Sequence, residues 1–265
     1  MVGQRRKRRG ARLAGNHQRC WIWGRNAVLQ TLASARWLPL SLLAADRADA
    51  AFRAQLEQRA GERKVPIEWA SYDALTDRCQ STEHQGLMAM MPEYPYAALD
   101  DSLLPGHRAP FLLLLEGIQD PHNFGAIIRS AEVFGVDAIV VGETGQCEIT
   151  PHVARASAGA VNDVVIARCP DVVEAAAWLR QRGVRILGAA GTAERLIADC
   201  SLTASTAIVI GNEGAGLSGE LLTQCDQLVR IPQVGRTESL NAAVAAGILC
   251  YEVRRQRSDS STAIE

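Results

Sequence analysis

Apolar residues along this chain gather into short runs separated by polar-faced stretches, and the runs change character partway. Before Met91 they are brief and broken by polar residues. Trp21-Ile22-Trp23-Gly24 reads as a short strand, and Asn26 as the cap of a helix running through Ala27, Val28, Leu29 and Leu32. Leu38 to Leu43 is a second apolar run, and a polar-faced helix follows over Ala50 to Ala60. Val65-Pro66-Ile67-Glu68-Trp69 reads as a strand shortened by its proline, and Ser71 to Cys79 as a helix with Ser71 as its cap. Leu87 to Met91 closes the series as a strand. Such alternation predicts a small α/β domain.

From Phe111 the pattern is denser. Phe111 to Leu115 is an unbroken apolar run of the kind buried on both faces of a parallel sheet. Asn123 to Phe134 then predicts a helix, and Val136 to Val141 the next strand. Further strands are expected at Val164 to Ala167, Arg185 to Gly188, Ala207 to Gly211 and Gln227 to Ile231. Helices over Asp171 to Gln181 and Gly219 to Cys225 separate them, and a long helix begins near Leu240 with Ser239 as candidate cap. Strand and helix alternating with short loops imply an α/β fold with a parallel sheet flanked by helices. Between the two regions Pro92, Pro95, Pro105 and Pro110 mark a linker. The expected division is a basic arm over 1–18, a first domain over 19–91, a linker over 92–110, a second domain over 111–258 and a tail over 259–265.

Charge changes this picture at one place. The net charge of −1 over 265 residues argues against a protein that coats nucleic acid over its whole surface. Yet Arg5, Arg6, Lys7, Arg8, Arg9 and Arg12 crowd the beginning of the chain, where they suit a phosphate backbone; a solvated tail without a partner is the plainer alternative. No apolar run is long enough to span a membrane, and Asn16, His17, Gln18 and Arg19 interrupt any signal-peptide core, so the expected location is the cytoplasm. The seven cysteines stand singly with no CxxC pair, and the five histidines form no ligand pair. Free thiols and no metal are expected.

The candidate chemistry lies in two glycine-bearing loops. One apolar run stops at Gly211-Asn212-Glu213-Gly214-Ala215-Gly216-Leu217, and the next leads through Ile231-Pro232-Gln233-Val234-Gly235 to Ser239-Leu240-Asn241. Glycines there let backbone groups approach a ligand closely. An earlier segment, Leu115-Glu116-Gly117-Ile118-Gln119-Asp120-Pro121-His122-Asn123-Phe124-Gly125-Ala126-Ile127-Ile128-Arg129-Ser130-Ala131, completes a set. Asn123, Gly125 and Arg129 fit NxGxxxR; Gly211, Glu213 and Gly216 fit GxExxG; Ile231, Pro232, Gly235, Ser239, Leu240 and Asn241 fit IPxxG…SLN. In this order the three resemble the SpoU/TrmH branch of the SPOUT superfamily, the RNA ribose 2′-O-methyltransferases. His84-Gln85-Gly86 and the segment from Trp23 to Leu32 also resemble the N-terminal domain of that family, which is similar to a ribosomal RNA-binding protein.

The resemblance implies S-adenosylmethionine as methyl donor, a deep trefoil knot at the C-terminal end, RNA as partner and a homodimer formed through the knotted domain. It implies that Gly211, Gly216, Ile231, Gly235 and Leu240 hold the cofactor. Arg129, Asn123, Glu213, Ser239 and Asn241 are the implied catalytic set. For Arg129 a grip on phosphate or on a developing alkoxide is physically easier than the role of general base. Plainer readings stand beside these: Asn123 and Ser239 as helix caps, Arg129 paired with Glu132, and Glu213 as a solvated loop residue. Trp21, Trp23 and Trp69 read as core ahead of base-stacking platforms. Gln233 and Arg236-Thr237-Glu238 depart from the family pattern, and Arg236 offers a phosphate contact there.

The substrate implied is a guanosine of large-subunit ribosomal RNA, with transfer RNA as the nearest alternative. A non-catalytic RNA-binding or assembly factor of the same fold is a second class. A nucleotide-dependent dehydrogenase is a third, and it lacks the GxGxxG spacing after a first strand.

Overall fold

The computed structural model describes residues 20–34, 36–236 and 239–262, with side chains through Ser258. The basic arm therefore lies outside the described residues, as do Thr237 and Glu238. The chain forms two compact units, one reaching to Pro95 together with Ile149–Pro151, the other comprising Tyr96–Glu148 and the chain from His152 onward.

In the first unit β1 (Trp21–Trp23), β2 (Ser41–Ala45), β3 (Ile67–Ala70) and β4 (Leu87–Met90) make a sheet of order β1-β4-β2-β3. Strands β2 and β3 run parallel, and β4 is antiparallel to both β1 and β2. Helices α1 (Arg25–Ala33), α2 (Ala50–Arg63) and α3 (Tyr72–Cys79) connect them. Leu75 of α3 packs with Trp21, Leu43 and Met88, so Trp21 belongs to the core. The Arg53 guanidinium lies over the half-buried Trp69 ring at 3.8 Å. Ser71 caps α3, its hydroxyl accepting from Ala74 N. Asn26 does not cap α1. The cap position belongs to Gly24, two residues before it, whose φ of 97° suits glycine and which provides no side-chain bond.

His84-Gln85-Gly86 is an internal brace. Gly86 N donates to His84 Nδ1 at 3.1 Å, leaving Nε2 to donate to Thr76 Oγ1 at 3.0 Å. Gln85 Oε1 accepts from Arg25 N at the start of α1. Burial, then the charge of Arg47, holds the His84 pKa below its ordinary value.

The second unit carries a six-stranded sheet of order β10-β8-β9-β5-β6-β7, with all five pairings parallel. Its strands are β5 (Phe111–Leu115), β6 (Ala138–Gly142), β7 (Val165–Cys169), β8 (Arg185–Ala189), β9 (Thr206–Ile210) and β10 (Gln227–Val229). Strands β5 and β9 at its centre are buried at every residue, which is why their sequence does not alternate. Between them come α4 (Pro121–Val133), α5 (Pro151–Ala156), α6 (Val172–Gln181) and α7 (Gly219–Gln224), and α8 (Ala242–Thr262) ends the described chain. Residues 259–262 continue α8. Reversal of strand order beside β5 leaves a crevice at the carboxyl ends of the strands, where ligands of open parallel sheets bind.

Candidate functional site

Two sequence-expected caps are placed elsewhere, and the difference builds the site. Helix α4 begins at Pro121 with Asp120 as cap, its carboxylate accepting from His122 N at 2.8 Å. Asn123 is thereby released from capping. Helix α8 begins at Ala242, and its cap is Asn241 instead of Ser239: Asn241 Oδ1 accepts from Ala243 N at 2.9 Å and Val244 N at 3.3 Å.

These choices produce a hydrogen-bonded chain. Asn241 Nδ2 donates to Asn123 Oδ1 at 2.9 Å, and Asn123 Nδ2 donates to Glu213 Oε1 at 3.0 Å. Its direction is fixed at both ends, since backbone N–H groups require an oxygen at Asn241 and a carboxylate can only accept at Glu213. Three distant segments, the start of α4, the loop after β9 and the start of α8, are thus joined through side chains. Glu213 is held and is not simply a solvated loop residue.

The loop after β9 is a tight reversal. Asn212 and Gly216 exchange both backbone hydrogen bonds, Asn212 N to Gly216 O at 3.0 Å and Gly216 N to Asn212 O at 2.9 Å. Asn212 Oδ1 accepts from Gly214 N and Ala215 N, and its amide donates to Gly117 O at 2.7 Å. A Cβ on Gly211 would stand 2.3 Å from the Gly216 backbone, so no side chain fits there. Gly216 has φ of +71°. In the first motif a Cβ on Gly125 would stand 2.4 Å from Ala156 Cβ, so this glycine seats α4 against α5.

A cavity of about 480 Å³ opens beside this loop. Of the expected cofactor-binding residues, Gly211, Gly216, Ile231 and Leu240 line it, together with Glu213 and Ser239 from the catalytic set. Gly235, Asn123, Asn241 and Arg129 are not among its lining residues. Sequence reading missed Ala189, Ala190, Gly191 and Thr192, which line the cavity from the end of β8 and the loop after it. Their signal was small residues directly after a strand. Ile210, Leu217, Leu228 and Leu249 add apolar wall. The volume and the mixture of apolar wall with backbone polar groups fit an adenosine-sized ligand. Among the described residues no group of three or more His, Cys, Asp or Glu could hold a metal ion, and no helix is long and apolar enough to cross a membrane.

Arg129 is exposed on α4, and among the described residues its side chain has no hydrogen bond or ion pair, including none with Glu132. It lies six residues beyond Asn123, about 240° around the helix, so the two do not face the same way. It does share a face with Val133, four residues on.

Comparison with known proteins agrees with this geometry. The SpoU rRNA methylase family matches residues 110–251, and a domain described as RNA 2′-O ribose methyltransferase substrate binding matches residues 21–97. The chain is 37% identical over 241 residues to the 23S rRNA (guanosine-2′-O-)-methyltransferase RlmB of Coxiella burnetii, covering 89% of this chain and 95% of that one. It is 33% identical to YacO of Bacillus subtilis, a TrmH family protein whose name leaves tRNA and rRNA both open, over 92% of this chain and 98% of that one. The crystal structure of the SpoU methyltransferase AviRb from Streptomyces viridochromogenes in complex with AdoMet superposes with a TM-score of 0.76 at 26% identity, over 90% of each chain. With more than half its length matched and a fold of the same kind, the chain belongs to the SpoU rRNA methylase family.

Proposed function

We propose that this protein transfers a methyl group from S-adenosylmethionine to the ribose 2′-oxygen of a guanosine in 23S ribosomal RNA. The observation that carries the reading is the bonded chain Glu213–Asn123–Asn241 beside a cavity walled by Gly211, Gly216, Ile231 and Leu240. The guanosine comes from the RlmB relative, and the methyl donor from the AdoMet complex of AviRb.

Bound S-adenosylmethionine supplies a methyl carbon activated by its sulfonium. The protein's contribution is alignment and exclusion of water, which in well-oriented reactions provides about 7 to 11 kcal/mol. The loop from Gly211 to Leu217 and the residues Ile231 and Leu240 hold the adenosine through backbone and apolar contact. Asn123, fixed by Glu213 and Asn241, presents its remaining amide hydrogen to the ribose. As the 2′-oxygen forms its bond to the methyl carbon, the carbon–sulfur bond breaks and the hydroxyl proton departs to solvent. A guanidinium stays protonated and does not accept that proton. Arg129 instead holds an RNA phosphate or the developing alkoxide. Ser239, at the cavity wall, offers a hydroxyl to the same oxygens.

The reading includes a deep trefoil knot made by the C-terminal segments that line the cavity. It also includes a homodimer acting in the cytoplasm. Val133, Val244 and Tyr251 are 63%, 51% and 53% exposed, an apolar face on α4 and α8 that a second copy would cover. Arg129 stands at its rim, where both subunits would shape the site. The first unit is taken to hold structured RNA, with the linker over 92–110 between the two domains.

The test is methyl transfer from labelled S-adenosylmethionine to purified 23S rRNA and, separately, to tRNA, followed by digestion to nucleosides. Label in 2′-O-methylguanosine from rRNA is the expected result. Label from tRNA alone would move the substrate, and label on a base, or on neither RNA, would remove the reading.

A further inference from the structure

One charged residue of the cavity has no role in the scheme above. Among the described lining residues only two carry charge, Glu213 and Arg230. Glu213 is engaged by Asn123. The Arg230 side chain has no hydrogen bond and no carboxylate within 4.0 Å among the described residues. Its backbone, in contrast, is pinned on both sides. Arg230 N donates to Arg195 O at 2.9 Å, Ile197 N donates to Arg230 O at 3.0 Å, and Leu196 and Arg230 form a parallel bridge just past the end of β10. A half-buried arginine on a fixed backbone, at a cavity wall and without a counter-ion, is unusual unless an anion arrives with the ligand.

We propose that Arg230 is a cofactor-binding residue that grips the carboxylate of the cofactor's amino-acid arm. This rests on the methyl-donor reading above and adds a named contact to it. The ligand has an uncharged end, the adenosine, joined through the sulfonium to an arm bearing one carboxylate and one ammonium. The rest of the cavity wall is uncharged apart from Glu213, so Arg230 is the available cation for that carboxylate. A guanidinium meets a carboxylate with two parallel N–H···O bonds, which fixes direction as well as affinity. Held at that end, the sulfonium is set at one depth in the cavity.

The test compares two ligands that share the adenosine and differ in the arm. S-adenosylhomocysteine keeps the amino-acid arm, and 5′-methylthioadenosine lacks it; both are titrated calorimetrically into wild type, Arg230→Ala and Arg230→Lys. The expected result is a roughly 10- to 100-fold loss of S-adenosylhomocysteine affinity in Arg230→Ala, the size of a charge-assisted bond. Binding of 5′-methylthioadenosine should change less than about twofold, which also reports an intact cavity, and Arg230→Lys should fall between. In turnover, KM for S-adenosylmethionine should rise with kcat largely retained, because the grip is the same before and during transfer. Equal loss for both ligands, or loss for neither, would overturn the assignment while leaving the methyl-donor reading in place. A wild-type protein that binds neither ligand would remove both.

Discussion

At the amino-terminal end of the six-stranded sheet Asp137, Asp226 and Arg257 are bonded to the ends of strands, whereas at the carboxyl-terminal end Arg230 and Arg236 have no ion pair among the described residues. Asp137 accepts from Phe111 N at 2.8 Å and pairs with Arg108; Asp226 accepts from Ile186 N at 2.8 Å and pairs with Arg180 at 3.0 Å. Arg257, near the end of α8, donates to four carbonyls: Ala109, Pro110, Leu202 and Ala204. Burial lowers its pKa, and the carboxylate of Asp137 opposes that shift. Charge at this end closes the fold. Past the carboxyl ends of the strands Glu116 still accepts from Ser218 N at 2.8 Å, but Glu213, Asn123 and Asn241 are bonded to one another beside a cavity, and Arg230 at its wall has no ion pair among the described residues. One sheet therefore divides stability and function between its two edges, as expected where ligand loops sit on a rigid scaffold.

The largest effect that could sharpen this contrast is at Arg129, exposed on α4. Arg129→Ala should lower kcat by about 100- to 1,000-fold, the usual cost of one stabilising donor, with the thermal midpoint unchanged. A large loss of stability with modest loss of rate would assign it to the structural end instead. Next is Arg257→Met, which takes the guanidinium donor away from four carbonyls, those of Pro110 and the buried Leu202 among them. It should cost about 3 kcal/mol in urea unfolding, by the cost of hydrogen bonds to charged groups, while S-adenosylhomocysteine affinity stays as in wild type. Altered affinity with wild-type stability would break the comparison.

Smaller still is Asn241→Asp. Aspartate keeps the cap on α8 but cannot donate to Asn123 Oδ1, and two oxygens then face each other. About a tenfold fall in kcat, or 1.4 kcal/mol, is expected with little change in stability. The smallest effect lies in the first unit. Because burial lowers the His84 pKa below 6.5, its folded state binds this proton less readily than the unfolded chain. Stability is then full above about pH 6.5 and declines as pH falls below it. The urea midpoint at pH 5.5 should lie below that at pH 7.5, and His84→Gln should flatten the difference.

Strands of the second unit were legible because burial on both faces leaves an unbroken apolar signature, as in Phe111–Leu115 and Thr206–Ile210. Some helix starts were legible, as at Ser71, which caps α3, and others were not. Asn26, Asn123 and Ser239 each compete with a better-placed neighbour, and only geometry shows which oxygen reaches the N–H groups of the first turn. At Asp120-Pro121 the proline at the first helical position was the local signal, and it pointed three residues earlier than Asn123. Gly211, Glu213 and Gly216, which stand together in one motif, line one cavity, but the chain linking Asn241, Asn123 and Glu213 spans long sequence separations and leaves no periodic trace. For the same reason nothing in the sequence singled out Arg257, or Ala189 to Thr192 beyond the expected strand Arg185 to Gly188. Pairings across the fold determine both.

Amide hydrogen exchange with and without S-adenosylhomocysteine tests the division of the sheet most directly. Added ligand should slow exchange at Gly211–Leu217, Arg230–Gln233 and Leu240–Ala245 and leave Phe111, Ile186 and the C-terminal turns of α8 unchanged. Protection appearing instead at the amino-terminal edge, or nowhere, would contradict the account.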